Sequence, residues 1–169
     1  FPFASQFFND KKSGFRLIKN RDLKSNDSII FYSGSFSKDY LVRNGDVLIG
    51  MDGDFIPCLW TKGLALLNQR VGRLIKKEPI SQVFLYFYLK KYLLDIESKT
   101  SATTVKHLSH NDIEDLVLLM PNKSEQQAIA KILSDMDKEI EALQSKKSKY
   151  SRIKEGMMQE LLTGKTRLI

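Results

Sequence analysis

The chain has 169 residues, 42% of them hydrophobic, a formal net charge of +7 and a single cysteine. That is apolar material for one globular domain, and it excludes an internal disulfide and a cysteine-built zinc site. The longest apolar run before the C-terminal third, Val83 to Leu89, is far too short for a bilayer span, and no secretory signal opens the chain.

Residues 1–14 read as irregular and close in the turn-prone run 9–14. Short strands are predicted over Phe15–Lys19 and Ser28–Tyr32, with a tight turn at Asn44-Gly45-Asp46. A buried strand over Asp46–Gly50 follows, then a loop at Met51–Asp54 and strands at Ile56–Trp60 and Val71–Ile75. Pro79 opens a helix through about Glu97 that is apolar nearly all round, hence buried. Ser109 and Asp112 can cap a short helical turn, and Leu116–Met120 reads as a last strand before Pro121. Short strands followed by scattered helices define an α+β domain, residues 1–121.

Residues 122–169 read differently. From Ser124 to Gly164 the sequence predicts one amphipathic helix, with Ser124 and Gln127 as a capping box and Gly164 as its left-handed stop. Leu133, Met136, Ile140, Leu143, Lys147, Tyr150, Lys154, Met157 and Leu161 follow alternating steps of three and four, a coiled-coil seam interrupted by two lysines. Those lysines are expected to snorkel, or to meet Glu139 or Glu155 across a helix pair. About 40 residues at 1.5 Å rise make a rod of roughly 60 Å. No second helix of matching length occurs, so the apolar positions are read as a dimerisation face.

Charge is divided between these parts. Residues 124–163 hold seven basic and seven acidic residues, and Lys165 and Arg167 follow, which leaves +5 on residues 1–123. A basic head favours a polyanion such as nucleic acid; basicity without a specific partner is the plainer alternative.

Catalytic chemistry is hard to find. Asp46, Asp52 and Asp54 could hold a cation in a metal-dependent nuclease, but Asp-Gly-Asp is more often turn chemistry. His107 and His110 stand beside Asp112 and Glu114 without a third histidine or a cysteine to complete a zinc site. Cys58 lies in an apolar strand and reads as a packed thiol in a reducing, cytoplasmic setting. There is no phosphate-cradling loop, no motif for a methyl-donor nucleotide and no base-methylation motif. Three groups suit DNA instead: Arg16, Lys19, Asn20 and Arg21; Asn68, Gln69, Arg70 and Arg73; and Thr103, Thr104, Lys106, His107 and Ser109. Arginine, asparagine and glutamine read base edges, while lysine and hydroxyls hold phosphates. Ordinary surface polarity competes with this at each position, and Asn68 and Arg70 could be buried and structural.

Several strings resemble a known family. Phe1-Pro2-Phe3-Ala4-Ser5 with Arg16 to Leu23, Gly45 to Gly53, Leu67 to Val71 and Ala102 to Ser109 are similar to a target recognition domain of type I restriction-modification specificity subunits. Pro121 through Leu133 resembles that family's start of the spacer helix, and Met157 to Lys165 its usual end. The resemblance implies a non-catalytic DNA-reading component. Such a component positions methyltransferase subunits, and in full complexes restriction subunits, on a bipartite DNA target. It implies no cofactor on this chain, with S-adenosylmethionine on the methyltransferase partner. Family members usually carry two recognition domains and two spacer helices that pair antiparallel. One of each is present here, and the string preceding Phe1 is missing, so the chain is expected to be a C-terminal half or a half-subunit that dimerises through Leu133, Met136, Ile140, Leu143, Tyr150, Met157 and Leu161. The rival from another class is a coiled-coil scaffold or adaptor without DNA specificity.

Overall fold

Alternating apolar residues in the first 75 positions build two small sheets that stack because each has two apolar faces. The structure, a computed structural model, describes residues 3–25, 28–53, 55–76, 79–99 and 108–169. In chain order the strands are β1 (Phe8–Asn9), β2 (Phe15–Ile18), β3 (Ile30–Tyr32), β4 (Leu41–Val42), β5 (Val47–Gly50), β6 (Pro57–Leu59), β7 (Ala65–Leu67) and β8 (Val71–Leu74). The α-helices are α1 (Gln82–Lys99), α2 (His110–Glu114) and α3 (Lys123–Leu162). The first sheet runs β1-β3-β2-β7-β4 and the second β6-β5-β8. Every pairing is antiparallel except β2 with β7, where Arg16, Leu17 and Ile18 lie opposite Ala65, Leu66 and Leu67.

Period-two alternation sends neighbouring residues to different cores. On one face of the first sheet Leu17 and Leu66 pack with Phe3 and Tyr32. On the other, Ile18, Val42 and Ala65 meet Leu48, Trp60 and Val71 of the second sheet's segments. The far face of that second sheet, with Ile49, Met51 and Phe55, is covered by Leu85, Leu89 and Leu93 of α1 and by Leu108. Each well-buried large side chain contributes about 1.5–3 kcal/mol before entropy is counted. Gly14 sits at φ +87°, where a Cβ would run into the Tyr32 carbonyl, so this turn admits only glycine.

The α+β class holds, with corrections in detail. Strands β1, β4 and β7 appear where no strand was expected, and α1 begins at Gln82 rather than Pro79. That helix is not buried all round: Phe84, Leu85, Leu89 and Leu93 are buried, while Lys90, Lys91 and Leu94 are exposed. Leu116–Met120 is irregular and joins no strand ladder, and Val117 and Leu119 are 89% and 85% exposed. The short helix α2 is capped as expected, with the Ser109 hydroxyl accepting from the Asp112 N–H and the Asp112 carboxylate accepting from the Ser109 N–H.

The chain divides into two compact units, Phe1–Gln127 and Ala128–Ile169. The first turn of α3 therefore belongs to the globular unit rather than to the rod. Its cap is Asn122, whose Oδ1 accepts from the Glu125 N–H at 3.0 Å, and Ser124 lies inside the helix. Gln126 explains the boundary. It is 1% exposed, its Oε1 accepts from the Ser81 N–H at 2.8 Å, and its Nε2 donates to the Pro121 carbonyl at 2.9 Å. At the other end Gly164 adopts φ +72°, and its N–H donates to the Leu161 carbonyl. No helix among the described residues is long and apolar enough to cross a membrane.

Candidate nucleic-acid interface and helix stripe

Strand β5 ends at Gly50 against the turn that follows β2, and this contact brings distant polar residues together. The Asn20 Nδ2 donates to the Asp52 carbonyl. Gly50 makes room for it, since a Cβ there would collide with the Asn20 Oδ1. The Met51 N–H donates to the Arg70 carbonyl at 3.1 Å, and the Leu108 N–H to the Met51 carbonyl at 2.9 Å. The Arg70 Nη1 reaches both oxygens of Asp52, at 2.9 and 3.3 Å. The loop at 51–53 is thus the meeting point of the first polar group (Asn20), the second (Arg70) and the chain on its way into Ser109.

Within the first group the four residues part company. Arg16 is only 9% exposed and its guanidinium lies 5.1 Å from the centroid of the fully buried Trp60 ring, so it serves the core and is not presented to a duplex. Lys19 bridges to the Ser28 carbonyl, and burial, partly offset by the nearby Asp22, pushes its ammonium pKa below 10.5. Asn20 spends its amide on Asp52, and Arg21 is exposed. The backbone beneath them is fixed by buried Asp22, which accepts from the Lys19 N–H at 2.9 Å.

The second group is split, with Arg73 inside β8 and the other three residues in the turn before it. Asn68, Gln69 and Arg70 connect β7 to β8, with the Val71 N–H donating to the Asn68 carbonyl at 3.0 Å. Asn68 is half-buried and its Oδ1 accepts from the Gln69 N–H, whereas Gln69 and Arg70 are exposed. Arg73 points away from this turn: its guanidinium donates to the carbonyls of Leu41 and Asp39 and stands 3.9 Å from Asp46. It ties β8 to β4 and the turn before it. Of the third group, Thr103, Thr104, Lys106 and His107 lie outside the described residues, as does Asp54. Ser109 is used as the cap of α2.

Asp46 and Asp52 flank β5 at its opposite ends, roughly 20 Å apart at strand rise, and cannot share a cation. Asp46 accepts from the Arg43 N–H at 2.9 Å, as turn chemistry requires. No grouping of three His, Cys, Asp or Glu suited to a metal occurs among the described residues. Cys58 is half-buried, and burial raises its thiol pKa above 9.0. The role of Asp52 as the partner of Arg70 escaped sequence reasoning. An Asp-Gly pair signals a turn equally well whatever the carboxylate faces.

The rod unit presents the expected apolar positions to its surroundings. Met136, Ile140, Leu143, Tyr150 and Met157 are each at least 49% exposed, and Leu133 and Leu161 are half-buried. The apolar stripe is wider than the seam read from the sequence, because Ile132, Ile153, Met158 and Leu162 are exposed too. Between Tyr150 and Leu162 these residues line a shallow apolar hollow that includes Lys154. Ile153 supplies apolar surface beside Lys154, where the heptad count found only a charge.

Residues 4–149 match the family described as type I restriction modification DNA specificity domain, and the chain belongs to that family. It is 34% identical over 163 residues to the EcoBI specificity subunit of a type I restriction enzyme from Escherichia coli, a match covering 96% of this chain and 34% of that protein. In fold it is similar to the solved HsdS subunit from Thermoanaerobacter tengcongensis, with TM-score 0.64 at 17% identity over 93% of this chain and 39% of that one. It is equally similar to the type I restriction-modification S subunit from M. genitalium, with TM-score 0.64 at 18% identity over 94% of this chain and 40% of that one. The chain thus spans about a third of the length of the curated relative.

Proposed function

We propose that this chain is a sequence-reading part of a type I restriction-modification complex, contacting double-stranded DNA through the loops gathered at 51–53. The observation that carries the reading is the convergence of Asn20, Asp52 and Arg70 at one point of a basic globular unit, in a chain of the DNA specificity family. Gln69, Arg70 and Arg21 bring exposed donors of the kind that pair with base edges and phosphates. Thr103, Thr104, Lys106 and His107 lie outside the described residues and remain candidate DNA contacts on their chemistry alone.

In this reading the chain performs no catalysis. It holds methyltransferase subunits, and in the full complex restriction subunits, on a bipartite target in the cytoplasm. S-adenosylmethionine sits on the methyltransferase, and this chain takes no cofactor of its own. The apolar stripe of α3 lies against a second such helix, from another copy or from the other half of a longer specificity subunit. Two identical heads related by a two-fold axis would select an inverted-repeat target.

The test is a binding selection from a random duplex library with the methyltransferase subunits present, followed by a salt titration. An enriched motif is expected, with log affinity falling linearly with log salt at about −0.9 per phosphate contact. A correctly folded chain that enriches nothing, or whose binding ignores salt, overturns the proposal.

A further inference from the structure

An arginine on a flexible stem is a poor reader of bases until something fixes it, because its rotamer entropy is lost on docking. Arg70 is 56% exposed in its side chain, yet it is tied twice to the loop at 51–53, by its carbonyl to the Met51 N–H and by Nη1 to the Asp52 carboxylate. Both Asp52 oxygens engage that one nitrogen, so the contact uses a corner of the five-donor fork. Asp52 is itself held from behind, through its carbonyl, by the Asn20 amide. That amide lies over Gly50, at the only residue size its position allows. An exposed ion pair of this kind adds little to stability. A carboxylate on a surface meant for phosphates also weakens the general attraction to DNA. Its value must lie elsewhere.

We propose that Asp52 is a positioning residue that presents Arg70 to a base pair, and that Asn20 in turn positions Asp52. The inference rests on the DNA-reading assigned above and deepens it. Arg70 makes the contact, Asp52 sets its direction, and Asn20 is a buttress instead of a reader.

The test compares the full chain with Arg70→Ala, Asp52→Asn, their double variant, Asp52→Glu and Asn20→Ala. The probes are the duplex selected by the wild type and a scrambled duplex of the same composition. Asp52→Asn is expected to lose about tenfold in affinity on the selected duplex while holding or gaining on the scrambled one. It should relax preference at the same base pairs as Arg70→Ala, and the double variant should bind no worse than Arg70→Ala alone. Asp52→Glu, which keeps the charge, should retain part of the preference, and Asn20→Ala should relax the same positions more weakly. Equal losses on both duplexes, relaxation at other positions, or additive losses in the double variant overturn the inference and leave the DNA-reading intact. A wild type that selects no motif overturns both. Should Asp52→Asn not fold, nitrogen relaxation of the Arg70 guanidinium in the free wild type decides: an ordered group is expected, and a freely rotating one sinks the inference.

Discussion

Arg16, Arg21, Arg70 and Arg73 carry one chemistry into three environments. Arg16 lies over the Trp60 ring, Arg73 binds the Leu41 and Asp39 carbonyls, and Arg21 and Arg70 face outward. Replacing Arg73 by Ala removes a charged donor from the part-buried Leu41 carbonyl and from the exposed Asp39 carbonyl, a loss of about 1.5–3 kcal/mol. Urea unfolding should register it, whereas Arg21→Ala should leave stability within about 0.5 kcal/mol. Cys58 belongs to the same scale. Its raised pKa keeps the thiol protonated at neutral pH, so alkylation of the native chain at pH 8 should be much slower than in urea. The sign is that of an acid disfavoured by burial: this contribution to stability is complete below pH 9.0 and declines as pH rises beyond it. The sequence reading named residue types suited to a DNA surface but could not sort these arginines. Whether a guanidinium meets a ring, a carbonyl or water depends on partners 18 to 44 positions away, as Asp52 and Trp60 are from Arg70 and Arg16, and no spacing rule reaches so far.

Elements were legible in proportion to their length and punctuation. Helix α3 was placed within two residues at either end because 40 residues of period 3.6 and a terminal glycine leave little alternative. Its cap was misplaced from Asn122 to Ser124, since both types cap and only the geometry chooses. Strands β1 and β4 are two residues long and carry no periodicity at all. The error at Leu116–Met120 has the opposite cause: an apolar run looked like a strand, but alternate residues Leu116, Leu118 and Met120 pack on the core without forming a ladder with any described strand. Gln126 carries no mark in the sequence that sets it apart from the other polar residues of α3. Truncating it to Ala leaves the half-buried Ser81 N–H without its acceptor, a cost of about 1–3 kcal/mol. The melting temperature of the globular unit should fall, while the helix signal of residues 128–162 in circular dichroism changes little.

For the whole molecule the periodicity of the last third suggests a rod beginning after Pro121, while contacts in the structure divide the chain into Phe1–Gln127 and Ala128–Ile169. The rod's apolar stripe is the feature with the sharpest consequence for assembly. Met136 and Leu143 are 55% and 58% exposed in the single chain. Met136→Glu with Leu143→Glu should therefore convert any paired species to monomer in sedimentation, with the head's unfolding unchanged; an unaltered mass would refute the stripe as the pairing face. The head carries a consequence of a different kind in the parallel pairing of β2 with β7. Strand β2 cannot acquire β7 until Leu67 has been synthesised, some fifty residues later, or roughly 3–10 s at translation rates of 5–20 residues per second. Through that interval the β2–β3 hairpin waits with Arg16 lacking its indole roof and Leu17 lacking its neighbour on β7. The central strand of the five-stranded sheet is thus completed only after a long stretch of following chain, a non-local pairing of the kind that slows folding.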